Sequence, residues 1–251
     1  MKTAICISGQ PRGIPLSCEK IKWGILDKNP NADIFFHTWF NPERVGERFF
    51  GAQPSQANKI GKEQPDTKEI LLKAYNPLKY IIEPQRDFSR ARGLRQAPTA
   101  VQEHLMSMFY SIWKANELKR EYEKAHGFIY DCVVRLRFDL VFDQQICFKD
   151  YAEYLDEYLI TSKKFQDERE DHRFIHGEYT MTDIFVFSSS ENMDKFSGVY
   201  PEYEFINSQI YPPFGENTLG YHCKVTHGLK VKTIPVTYEI MHRIINLDDI
   251  K

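Results

Sequence analysis

Two short apolar strands separated by one helix open this chain, and that order leaves few architectures available. Residues 3–8 read Thr-Ala-Ile-Cys-Ile-Ser, an apolar run broken by Ser8-Gly9-Gln10-Pro11-Arg12-Gly13. Residues 15–27 carry Leu16, Ile21, Ile25 and Leu26 at loose helical spacing, and Asn29-Pro30 stops them. Residues 32–37, Ala-Asp-Ile-Phe-Phe-His, form a second apolar strand. Strands alternating with helices build a largely parallel sheet covered by helices. In such a sheet ligands bind beyond the carboxyl ends of the strands.

The same reading continues down the chain. Asp66-Thr-Lys-Glu69 reads as a capping box opening a short helix that Asn76-Pro77 ends, and residues 79–82 read as a third strand. Thr99-Ala-Val-Gln102 is a second capping box. Behind it Val101, Leu105, Met108, Ile112, Ala115 and Tyr122 mark one face, widened by Phe109. That face predicts a helix of about 26 residues stopped at His126-Gly127. The second half alternates less regularly. Residues 149–158 read as a short helix, 159–161, 181–187 and 229–236 as strands, Ser188-Ser-Ser-Glu191 as a helix cap, and Gly215-Glu216 as a helix start running to His227-Gly228. Residues 40–65 and 84–98 read as long irregular insertions, the second with Arg86, Arg90, Arg92 and Arg95. They are expected to be mobile and to close over a ligand.

Composition excludes several function classes. Lysine plus arginine number 33 and aspartate plus glutamate 35, a net charge of −2, so no nucleic-acid backbone is an expected partner. No run approaches the ~18 apolar residues of a membrane span, and the opening apolar stretch is too short for a signal-peptide core. Five scattered cysteines with no Cys-x-x-Cys pair predict free thiols in a cytoplasmic protein, not a zinc or disulfide framework. The histidines show no His-Glu-x-x-His or comparable metal spacing. The 251 residues are read as one domain, with 1–143 and 144–251 as its two halves.

Five places are candidates for chemistry. The loop holding Ser8, Gly9, Gln10 and Arg12 follows a strand and precedes a helix. It binds a phosphate-bearing ligand or is a tight turn, and it matches neither standard nucleotide fingerprint. His37-Thr38-Trp39 ends the second strand at the same rim, as a stacking platform or as core. In residues 128–143 Arg135, Arg137 and Asp139 alternate with apolar residues and share a face. Burying two guanidiniums and a carboxylate is costly unless they pair or bind something. A diphosphate, with or without Mn²⁺ or Mg²⁺, or an internal salt bridge, answers that cost. Asp183 and Glu216 are the candidate general bases. Glu216 also suits the start of a helix as an acidic side chain.

Taken in order, Ile-Ser-Gly-Gln-Pro-Arg-Gly, Ala-Asp-Ile-Phe-Phe-His-Thr-Trp, Met-Phe-Tyr-Ser-Ile, Tyr-Asp-Cys-Val-Val-Arg-Leu-Arg-Phe-Asp and Thr182-Asp-Ile-Phe-Val-Phe-Ser-Ser-Ser-Glu-Asn-Met193 resemble GT-A-fold glycosyltransferase-like proteins of bacterial surface-polysaccharide loci and large viruses. The resemblance implies an α/β, GT-A-like fold: a Rossmann-like nucleotide-binding half, a mixed central sheet and helices on both faces. It implies transfer of a sugar from a nucleotide-sugar donor to a glycan or other hydroxyl acceptor in polysaccharide biosynthesis. Arg135, Arg137 and Asp139 fall at the donor motif, with Asp139 matching the last carboxylate of Asp-x-Asp and Arg137 standing where the first would be. A Mn²⁺ or Mg²⁺ ion would then sit at Asp139. A sugar-phosphate nucleotidyltransferase and a non-catalytic nucleotide- or glycan-binding module share the layout and remain the alternatives.

Overall fold

The computed structural model describes residues 1–47, 49, 62–89, 99–164, 166–167, 179–210 and 214–241. Seven strands form the central sheet: β1 (Thr3–Gly9), β2 (Asp33–Trp39), β3 (Lys79–Glu83), β4 (Cys132–Leu136), β6 (Tyr158–Ser162), β7 (Phe185–Ser188) and β8 (Lys230–Ile234). Their spatial order is β3-β2-β1-β4-β7-β6-β8. β1, β2, β3 and β4 are parallel, β7 runs antiparallel to β4 and β6, and β8 is parallel to β6. A separate antiparallel pair joins β5 (Leu140–Phe142) to β9 (Tyr238–Ile240).

Alternation along each strand feeds two cores. Ile5 and Ile7 of β1, Ile34 and Phe36 of β2, and Val134 and Leu136 of β4 face α1 (Leu16–Gly24) and α2 (Thr67–Tyr75). Ala4, Cys6, Phe35 and Val133 face the other way. There they meet α3 (Thr99–His126), α4 (Ser190–Ser197) and α5 (Val199–Gln209). The mixed α/β sheet with helices on both faces is the fold class the sequence predicts. Among the described residues no helix is long and apolar enough to cross a membrane. All five cysteines are free thiols.

Several boundaries move. The long helix has 28 residues rather than about 26. Asp66 stands at the N-cap of α2 as read, whereas the N-cap of α4 is Ser189, one residue after the Ser188 that opens the capping sequence; neither side chain makes a capping hydrogen bond. The strand expected over 181–187 starts at Phe185, because residues 180–184 are tied elsewhere. The helix expected over 215–227 is α6 (Gly215–Gly220) continued by a π-helix, Tyr221–Thr226. Much of 40–65 and 84–98, with Arg90, Arg92 and Arg95, lies outside the described residues. The described ends of the first stretch pair with each other, Gly46 N–H to Glu63 O at 2.8 Å and Glu63 N–H to Glu47 O at 3.0 Å.

The 180–184 segment is clamped from both sides. Met181 N–H donates to Glu216 O at 3.0 Å. Gln166 Nε2 donates to Thr180 O at 3.0 Å, and Tyr179 N–H donates to Asn217 Oδ1 at 3.1 Å. α6 presses so closely that a Cβ at Gly220 would fall 1.5 Å from the Tyr179 carbonyl oxygen.

Candidate functional site

The chain leaves β1 toward β2 and β3 on one side and returns through α3 to β4 on the other. The strand order therefore reverses between β1 and β4, and a crevice opens beyond their carboxyl ends. The register pairs Ile7 with Leu136. Ser8 and Gly9 at the end of β1 thus stand beside Arg137, just past the end of β4. Gly9 has φ +116°, a conformation that side-chain-bearing residues rarely adopt.

A cavity of about 190 Å³ fills this crevice. Ser8, Gly9, Gln10, Arg12, Arg135, Arg137 and Asp183 line it, with Trp39 and with His104, Ser107 and Met108 of α3. Eight residues singled out in sequence, Trp39 among them, are therefore brought to one place from four distant segments. His37, Asp139 and Glu216 are not among those lining it.

The charges in the cavity are unevenly satisfied. Arg137 clamps Asp139 in two parallel bonds, Nε to Oδ1 at 2.8 Å and Nη2 to Oδ2 at 2.7 Å. Asp139 is 1% exposed. Burial works against the charge on Arg137, but the attraction of Asp139 outweighs it and raises the pKa. Arg135 is buried, and that burial pushes its pKa down to about 10. Its Nη1 donates weakly to Ser8 O at 3.4 Å, and its Nη2 lies 4.0 Å from Asp183 Oδ2. Arg135 Nε, Asp183 Oδ2 and Ser8 Oγ are buried and make no hydrogen bond. Buried polar atoms without partners are costly, and three of them surround this one cavity. Arg12 holds Gln10 Oε1 through Nε and Nη2, at 3.1 and 2.6 Å. Its pKa is lowered by burial, partly offset by Asp139.

His37 is expected as a donor contact and proves to be a strut. It is fully buried. Its Nε2 lies 3.0 Å from Glu83 Oε1 and its Nδ1 2.8 Å from Ser111 Oγ, which accepts the Gly9 N–H at 3.0 Å. This relay fixes the backbone of the loop at the end of β1. The hydrogen bond from His37 holds the Glu83 carboxyl down near about 2, while burial lowers the His37 pKa. The sign follows directly. The unfolded chain takes up the His37 proton more readily, so its stabilisation is complete above the ordinary value of 6.5 and is lost as pH falls below it. Urea midpoints should therefore drop between pH 7 and pH 5. His37→Gln should remove part of that slope, at a cost of about 1–3 kcal/mol at pH 7. An unchanged slope in the variant would assign the pH dependence elsewhere.

Arg86 pairs with Glu83 at 2.9 Å and lies over the Tyr110 ring. Glu216 is half-buried as the second residue of α6, and its carbonyl serves the 180–184 segment. The sequence reading missed the wall that α3 supplies. A signal was present: His104, Ser107 and Ser111 recur at helical spacing beside the apolar face of that helix. Asp139 was expected to hold a metal, yet both of its oxygens face Arg137 and not the cavity.

No protein-family model matches the chain, and no curated protein sequence matches it. Among solved structures the chain is similar to the apo form of mouse xyloside xylosyltransferase 1. The likeness spans 93% of this chain and 84% of that one, at 9% identity and a TM-score of 0.44. A superposition this loose transfers no residue from one chain to the other.

Proposed function

We propose that the crevice binds the sugar-diphosphate end of a nucleotide-sugar donor and that the protein transfers the sugar to a hydroxyl acceptor. The observation that carries this reading is the trio of unpartnered buried atoms around one cavity, on Ser8, Arg135 and Asp183. Two of these are complementary in kind. Arg135 Nε, with Arg12 and Arg137 beside it, suits phosphate oxygens. Asp183 Oδ2 suits a hydroxyl. The cavity's about 190 Å³ is below the roughly 300–1,000 Å³ of whole-ligand pockets, which fits the reacting end of a donor and not its base.

In the reaction an acceptor oxygen attacks the anomeric carbon and the bond from that carbon to the diphosphate breaks. Negative charge grows on the leaving diphosphate, where preorganised guanidiniums stabilise it. For an inverting transfer, Asp183 takes the acceptor proton. Residues 1–143 then supply the donor side and 144–251 the acceptor side of a single domain.

The residues at Asp139 do not fit a Mn²⁺ or Mg²⁺ ion. The carboxylate is buried and both oxygens are engaged by Arg137. No step above passes through a metal. Asp139 acts instead as the positioning group for Arg137.

A thermal-shift series with nucleoside diphosphates and their sugars tests the reading. Ligand at a hundred times its Kd stabilises by about 2.7 kcal/mol, a rise of about 5–10 °C for a chain this size. If no nucleotide at millimolar concentration moves the transition, donor binding is wrong. Binding without transfer or hydrolysis of any donor would make the protein a binding module.

A further inference from the structure

A second cluster of chemically competent side chains lies outside this cavity. It is built on α5 and the π-helix that follows α6. His222 and His227 are five residues apart, and His227 N–H donates to His222 O at 3.2 Å. That bond is the π turn itself. In an α-helix residues three or four apart share a face; widening the turn to five brings these two imidazoles together. Their rings meet edge to face with centroids 4.6 Å apart. Glu202 of α5 faces them, and the ligand atoms of all three residues lie within 4.8 Å of one another.

The hydrogen bonds of His222 select its tautomer. Nε2 lies 2.7 Å from the carbonyl oxygen of Lys195, which can only accept, so Nε2 carries the hydrogen. Nδ1 is buried, faces Glu202 Oε2 at 3.3 Å, and forms no hydrogen bond. Two atoms rich in lone pairs are thus aimed at a common point. A backbone carbonyl fixing the far nitrogen is the usual outer support of a metal-bound histidine. A tetrahedral ion with bonds of about 2.0–2.2 Å holds its ligand atoms roughly 3.3–3.6 Å apart, and the Glu202–His222 pair already has that separation.

We infer that Glu202, His222 and His227 form a binding site for a divalent transition ion of the zinc class. Two imidazoles and a carboxylate suit Zn²⁺, whereas Mg²⁺ and Ca²⁺ prefer oxygen alone. Glu202 and His227 are half-buried, which leaves room for water as fourth ligand. The ion would tie α5 to the π turn and, through Lys195 O, to the end of α4. Its place is structural, since none of the three residues lines the crevice.

The test needs no donor or acceptor, so it stands apart from the transferase reading. Chelator-treated protein is titrated with Zn²⁺ and separately with Mg²⁺, by calorimetry and thermal unfolding. One equivalent of Zn²⁺ per chain should bind and raise the Tm, and Mg²⁺ should do neither. Co²⁺ should give the intense visible absorption of a tetrahedral site. Losing even an outer-shell partner costs metal sites 10–100-fold. His227→Ala and Glu202→Gln, both at half-buried positions, should therefore weaken Zn²⁺ at least about tenfold while keeping the metal-free Tm near that of the parent. Absence of saturable Zn²⁺ binding to the parent would overturn the site. So would undiminished affinity in both variants.

Discussion

Asp139→Ala is expected to lower the Tm and weaken donor binding together, and added Mn²⁺ should restore neither. The substitution leaves Arg137 in a crevice without the carboxylate that fixes both of its donating nitrogens. Removing one partner of a buried ion pair costs about 3–5 kcal/mol of stability. Donor affinity should fall by about 2–5 kcal/mol, because the guanidinium no longer meets the diphosphate in a fixed orientation. Asp139→Asn keeps the shape and one acceptor, and should fall between parent and alanine variant. The parent should keep its activity in EDTA. Activity that vanishes in EDTA and returns with Mn²⁺ would reverse this reading and make Asp139 a ligand after all.

Asp183→Asn should separate chemistry from binding. The substitution is isosteric and the segment is held through backbone atoms, so the fold should be kept, with Tm lowered only as far as Arg135 loses a counter-charge 4.0 Å away, and donor should still bind. Turnover should fall by about 10²–10⁴-fold, the usual contribution of a positioned proton acceptor. Loss in kcat with KM nearly unchanged is the signature of an interaction made only in the transition state. A variant that keeps kcat within about threefold of the parent would return Asp183 to a structural part.

The first half of the chain was legible because its signals are local. Apolar runs at β1 and β2, the stop at Asn76 and the long stripe of α3 need only near neighbours to be read. Ser8, Gly9, Arg12, Arg135 and Arg137, which line one cavity, stand out in the sequence because polar residues at the ends of apolar strands have few other reasons to be there. What escaped depends on contacts distant in sequence. β9 is three residues long and exists by pairing with β5. His37 reads like a rim residue until Glu83 and Ser111 close around it. The histidine pair is invisible to any scan at helical spacing, since only the π turn aligns residues five apart. Asp183 was expected inside a strand, and it lies before β7 because Gln166 and α6 claim the backbone on either side.

The contact at Gly220 makes one hydrogen atom a gauge for the crevice beyond β1 and β4. Residue 220 meets the chain at Tyr179, four residues before Asp183, with no clearance for a methyl group. Any larger side chain would lift that stretch off α6 and carry the carboxylate away from Arg135. The depth to which Asp183 is seated is thus set from behind, by a glycine that does not itself line the cavity.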